Sequence, residues 1–166
     1  MIRQATELDI HRIVELWYEM SVYHEQIDSY FKLAPDGKSV YRNFLSSHIG
    51  ARDVALFVAE DEGVVKGYVM VKVEIRPAVF LSQRTGFIQE LAVTEDFQRM
   101  GVGQELLTKA LTWLKEQGIS EVSCHYSLDN PKSSKFWSEA GFKVTTVTGT
   151  IHLNGKVSEP LVKPPL

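Results

Sequence analysis

A single cysteine, Cys124, stands among 166 residues. One thiol cannot form an intrachain disulfide, which points to a reducing compartment, the cytoplasm. There is also no run near the roughly 18 apolar residues that a membrane-spanning helix needs. A soluble protein with no membrane partner is expected. Lysine and arginine form no cluster, and the formal net charge is −3, so there is no basic field to draw a nucleic-acid backbone. Nucleic acid is not expected as a partner. The opening residues Met1 to Ala5 do not begin a cationic and then apolar secretory signal. Nor is the composition biased: 44% apolar and 23% charged residues are ordinary for a globular chain. The length fits one domain over 1–166, with an irregular tail at Pro160, Pro164 and Pro165.

What is present alternates between two periods. Ile2 to Ala5 reads as a short strand. Thr6 with Asp9 three residues on resembles a helix start, and Leu8, Ile13, Leu16, Trp17 and Met20 form a helical stripe over about 7–24. His24 to Lys38 has no sustained period and reads as a loop. Val40, Tyr41, Phe44, Leu45 and Ile49 restore helical spacing up to Gly50. Val54 to Glu60 and Val64 to Ile75 then flank Asp61-Glu62-Gly63 as an antiparallel hairpin, and Gly86 to Val93 adds a third strand. Val102, Leu106, Leu107, Ala110, Leu111 and Leu114 mark a long helix that stops at Gly118. Ile119 to Tyr126 returns as a strand parallel to the one before that helix. Asn130-Pro131 opens a short helix that ends at Gly141, Phe142 begins a last strand, and Asn154-Gly155 marks a tight turn. The fold class expected is α/β (α+β), a central mixed, mostly antiparallel sheet flanked by helices.

The stretch that carries chemistry is Gln98 to Gly103, Gln-Arg-Met-Gly-Val-Gly, between a strand and the long helix. Glycine at 101 and 103 lets an anion approach the first N–H groups of the helix, where unpaired donors and the positive end of the helix dipole converge. A phosphate-bearing ligand is the expectation, with a ligand-free turn as the plainer alternative. The absence of a Gly-Lys-Ser/Thr sequence argues against a nucleotide-phosphate loop.

Together these residues resemble the GCN5-related N-acetyltransferase (GNAT) superfamily. Its signature, Gln or Arg, two residues, Gly, one residue, then Gly or Ala, stands here as Gln98, Gly101 and Gly103, preceded by Leu91-Ala92-Val93. Asn130 and Gly141-Phe142, with Phe136-Trp137 between them, match a later family element. The resemblance covers about Ile2 to Leu153. It implies acetyl-CoA as co-substrate, without a metal, in a cleft where the strand holding Leu91 to Val93 parts from its parallel neighbour. Leu91, Ala92 and Val93 would bind the pantetheine arm. The N–H groups of Arg99, Met100, Gly101, Val102, Gly103 and Gln104 would hold the pyrophosphate, with Gln98 in the signature and a charge from Arg99. Asn130 and Ser133 would flank the arm.

The implied reaction is direct transfer of an acetyl group to a primary amine of a small molecule or peptide in a ternary complex. A homodimer is compatible with the resemblance. The attacking amine must lose a proton, and Glu90, in an apolar run that would raise its pKa, is the candidate base. A strand-edge carboxylate bonded locally is the alternative. A backbone N–H near Leu91 or Ala92 would stabilise the oxyanion. Many family members place a tyrosine four residues before the Gly of Gly-Phe to protonate the leaving thiolate. Trp137 stands there, and an indole N–H is not a usable acid. Tyr126, Ser134 or water are the alternative donors. The tryptophan also keeps open a non-catalytic acyl-CoA sensor. Cys124 and His125, adjacent on a strand, point to opposite faces and read as core rather than as a nucleophile pair. His24, Glu25 and Asp28 have no recognised ligand spacing; their loop is a candidate acceptor pocket.

Overall fold

The computed structural model describes residues 1–151 and 153. The chain forms two compact units, Met1–His125 and Tyr126–Leu166. The first holds a five-stranded sheet in the order β1 (Ile2–Gln4), β2 (Val54–Asp61), β3 (Val64–Ile75), β4 (Arg84–Val93), β5 (Val122–Cys124). Neighbours are antiparallel except β4 and β5, which run parallel. The helices are α1 (Ile10–Ile27), α2 (Gly37–His48) and α3 (Val102–Glu116).

From Val54 to Ala59, β2 is apolar without interruption because both faces of the sheet are covered. Leu56 and Val58 pack with Ile13, Val14 and Leu16 of α1 and with Leu45 of α2. The alternate residues, Ala55, Phe57 and Ala59, are equally buried on the opposite face, where Lys109 of α3 lies over the Phe57 ring. A strand sandwiched in this way has no solvent side on which to place polar residues. From α3, Leu106, Leu107, Ala110 and Leu114 are all fully buried, at the spacing of the predicted stripe.

Local chemistry explains where the boundaries depart from expectation. Thr6 N–H donates to the Asp9 carboxylate at 2.8 Å, and Arg3 grips the same carboxylate, so Glu7–Asp9 winds as a 3-10 turn ahead of α1. Leu8 lies in that turn and is 93% exposed, so it does not belong to the buried stripe. α1 continues to Ile27 and α2 starts at Gly37, which shortens the intervening loop. β5 is shorter than the apolar pattern suggested.

The second unit contains α4 (Pro131–Glu139). Asn130 caps it, its side chain accepting from Ser133 N–H at 3.2 Å, and Pro131 occupies the first turn, where no N–H is needed. At the other end Phe142 N–H donates to Trp137 O and Gly141 N–H to Ser138 O, a Schellman stop. The strand expected from Phe142 onward does not form among the described residues. β-propensity supplies no hydrogen-bond partner by itself, and Val144, Val147 and Ile151 are exposed. The Asn154-Gly155 turn and the proline tail lie outside the described residues.

Candidate functional site

One inserted residue organises the site. β4 pairs with β3 as Val71↔Ile88 and then Met70↔Glu90, so Gln89 has no opposite number and forms a β-bulge. Before the bulge, even-numbered residues of β4 face α3: a Cβ at Gly86 would meet Leu114 at 2.6 Å. Without the extra residue, period two would carry Glu90 to that same face. The bulge turns Glu90 over to the face of Met70 and Tyr68, among the side chains of α1 and α2.

The same shift re-aims the backbone. Gly86 N–H donates to Glu121 O beside β5, and pairing between β4 and β5 covers only Gly86 to Ile88. Farther along, Thr94 N–H donates to Lys66 O toward β3. Alternation from Thr94 therefore points the N–H and C=O groups of Leu91 and Val93 away from β3. No strand pairs with them there among the described residues. Ala92 points its groups to β3, which removes it as an oxyanion donor.

The cradle follows. Gln98 donates its side-chain Nε2 to Val93 O at 3.1 Å, tying the turn back to the strand. Arg99 and Gly101 both adopt positive φ, 63° and 85°, and Gly101 precedes the first residue of α3. Left-handed residues alternating with right-handed ones aim successive N–H groups into one concavity. None of the N–H groups from Arg99 to Gln104 donates to a backbone carbonyl of the described residues; the first helical bond is Glu105 N–H to Gly101 O at 3.0 Å. No side chain caps this end. A Cβ at Gly101 would have nothing within 4 Å, so the concavity is open. This donor set fits the pyrophosphate of a CoA: six N–H groups, the dipole of α3 and the Arg99 side chain.

The carboxylate lies deeper. Glu90 Oε2 accepts from the hydroxyls of Tyr41 and of Tyr68, the latter at 3.0 Å. Tyr41 belongs to α2 and stacks on Trp17 of α1 with centroids 4.2 Å apart and planes 12° apart. Burial pushes the Glu90 pKa up, and the two phenol bonds oppose part of that rise. Burial and then the nearby carboxylate hold both phenols far above their ordinary pKa, so they act only as donors. Tyr41 and Tyr68 are not among the candidates that the sequence pattern offers, in which Tyr41 and Trp17 belong to helical stripes. The available signal was a phenol on an apolar face, since a buried hydroxyl needs a partner.

The sequence profile of the Acetyltransferase (GNAT) family matches residues 11–142. The chain belongs to the GNAT acetyltransferase family. An N-alpha-acetyltransferase of Sulfurisphaera tokodaii is 28% identical over 119 residues, 68% of this chain and 71% of the relative. A second, from Sulfolobus acidocaldarius, is 27% identical over 93% of this chain and 86% of the relative. Among solved structures, the tetramutant of the BH1408 protein from Bacillus halodurans superposes with a TM-score of 0.82 at 17% identity, covering 92% of this chain and 99% of that one. The aminoglycoside N-acetyltransferase AAC(6')-Iy, in complex with CoA, gives 0.69 at 19% identity, covering 93% and 95%. At such identities the likeness is one of fold.

In this GNAT chain the remaining candidates are placed as follows. Asn130 holds the start of α4 through Ser133 N–H. In the same unit, Tyr126 lies 6.4 Å from the Trp137 ring, which Phe136 and Phe142 also meet edge-on. Burial pushes the Cys124 thiol up to about 12, which suits a half-buried structural cysteine and not a nucleophile. Its neighbour His125 meets the Phe87 ring edge-on at 4.9 Å. No cluster of potential metal ligands exists among the described residues; Asp28 instead accepts from Tyr30 N–H at 2.8 Å. A hollow of about 270 Å³ is lined by Tyr18, Glu25, Leu33, Ala34, Pro35 and Lys38. Neither Glu90 nor the cradle contributes to it.

Proposed function

We propose that the chain transfers the acetyl group of acetyl-CoA to a primary amine by direct attack in a ternary complex, with Glu90 as the base. The observation that carries this reading is the bulge at Gln89, which joins the outward edge of Leu91 and Val93 to a half-buried carboxylate on the adjoining residue. Acetyl-CoA supplies the activated thioester. The N–H groups of Arg99 to Gln104 hold its pyrophosphate, and the outward groups of Leu91 and the Val93 N–H pair with the arm. The Leu91 N–H serves as donor to the oxygen on which charge develops. Glu90 takes the proton that an ammonium must shed before its nitrogen can attack. A thiolate with an ordinary pKa of about 8.5 leaves without an obligatory acid, which accommodates Trp137 at the position of the usual tyrosine.

For the acceptor, the N-alpha-acetyltransferase relatives favour the α-amino group of a peptide. Chemistry agrees: an α-amine has a pKa of about 8 against about 10.4 for a lysine amine, so a carboxylate base faces a smaller proton-transfer gap. Thiol release from acetyl-CoA is to be measured over a panel of peptides with free α-amines, polyamines, aminoglycosides and free amino acids. Release with the peptides supports the full reading. Release with aminoglycosides alone replaces the acceptor, and CoA binding without release on any amine overturns the enzymatic reading.

A further inference from the structure

We propose that Tyr41 is a positioning residue for the transfer: its hydroxyl fixes the Glu90 carboxylate through Oε2, so that Oε1 is presented to the acceptor amine. This rests on the reading of Glu90 as the base. The final torsion of a glutamate is broad and two-fold, so an unheld carboxylate exchanges its oxygens and samples many planes. Here two donors from different elements converge on one oxygen, Tyr68 from β3 and Tyr41 from α2. The phenol oxygens themselves are 3.4 Å apart. Oε1 accepts no hydrogen bond from the described residues.

The two donors are not equivalent. Tyr68 is fully buried within the sheet layer, and its ring fills the core beneath the carboxylate. Tyr41 reaches Glu90 from outside the sheet, held by the parallel stack on Trp17 and flanked by Phe44 at 5.9 Å. It thereby links the carboxylate to the two helices that precede β2. If Tyr41 served packing alone, a phenylalanine would do the same work without a hydroxyl to satisfy. The groups facing Glu90 are few. α2 contributes Tyr41 and β3 contributes Tyr68, while the α1 member of the stack, Trp17, does not titrate. No charged side chain pairs with Glu90 among the described residues. A change in its titration therefore reports on the phenols.

The test uses Tyr41→Phe, which keeps the ring on Trp17. The carboxyl 13C resonance of Glu90 is titrated, kcat/KM is followed against pH with acetyl-CoA and a reactive amine, and CoA affinity is measured. A hydrogen bond to the charged form favours that form, so its loss should raise the Glu90 midpoint by about one unit. The rate should fall about tenfold further below the midpoint than above it, where the loss of orientation alone remains, with CoA affinity unchanged. Should Tyr41→Phe fail to fold, replacing Tyr41 with 3-fluorotyrosine, a stronger donor of nearly the same shape, should lower the midpoint instead. An unmoved midpoint, or a parent rate fully restored above it, removes the positioning role and leaves Tyr41 structural. Glu90→Gln separates the two claims. If it retains full rate, the base reading fails and takes this proposal with it. If it loses the rate while the midpoint in Tyr41→Phe stays put, Tyr41 alone is refuted.

Discussion

Glu90→Gln should separate catalysis from folding in one protein. The substitution keeps the side chain's size and leaves an oxygen to accept from Tyr41 and Tyr68, but it removes the charge and the proton site. A positioned general base contributes typically 10²- to 10⁴-fold to rate, so kcat should fall by about that much while CoA affinity changes little. Stability should move the other way with pH. Burial raises the folded pKa of Glu90 above its ordinary 4.5, so the native state binds this proton more tightly than the unfolded chain does. The parent protein has its full contribution from this group below 4.5 and loses stability as pH rises from there through the raised folded value. Glutamine has no such loss. Thermal melts across that window should therefore show Glu90→Gln gaining on the parent as pH increases, while its rate is reduced throughout. A melting difference from the parent that does not change across that window, or a variant that keeps its kcat, would refute the assignment of Glu90 as a desolvated base.

Two further substitutions probe the scaffold. Asp9 is 7% exposed and bound by Arg3, which together with Thr6 holds its carboxyl at about 2 against an ordinary 3.8. Asp9→Asn should cost about 2 kcal/mol in urea unfolding at neutral pH, and the parent's advantage should vanish as pH falls from 3.8 through about 2. Gly101→Ala meets no atom within 4 Å but is forced to φ 85°, so it should cost about 1 kcal/mol of stability from strain alone and weaken CoA binding by reshaping the cradle. A loss well above that, seen in the same unfolding experiment, would mean that the site is closed rather than open.

The sequence exposed those parts of the site that depend on backbone chemistry. Gly101 and the donor-rich start of α3 were legible because a left-handed residue ahead of an amphipathic helix demands glycine, and Glu90 because a carboxylate inside an apolar strand is out of place. The bulge was not legible. One extra residue at Gln89 changes which face every later side chain of β4 takes, yet it leaves Ile88, Leu91 and Val93 as apolar as before. With the register hidden, Tyr41, Tyr68 and Glu90 could not be placed together, since they come from three elements and share no spacing. The reverse error occurred at Phe142. Its segment carries strand-forming residues, but pairing depends on a neighbour that local sequence does not reveal.

We propose that the N–H groups of Arg99 to Gln104, together with the outward edge of Leu91 and Val93, receive CoA. Amide chemical shifts recorded during titration with CoA test it directly, because the proposed ligands are themselves the reporting groups. The largest perturbations should fall on Met100 to Gln104, Leu91 and Val93, with little change along β1 and β2. Perturbations centred instead on the hollow near Tyr18 and Lys38, or saturable binding that leaves the cradle amides unmoved, would contradict it.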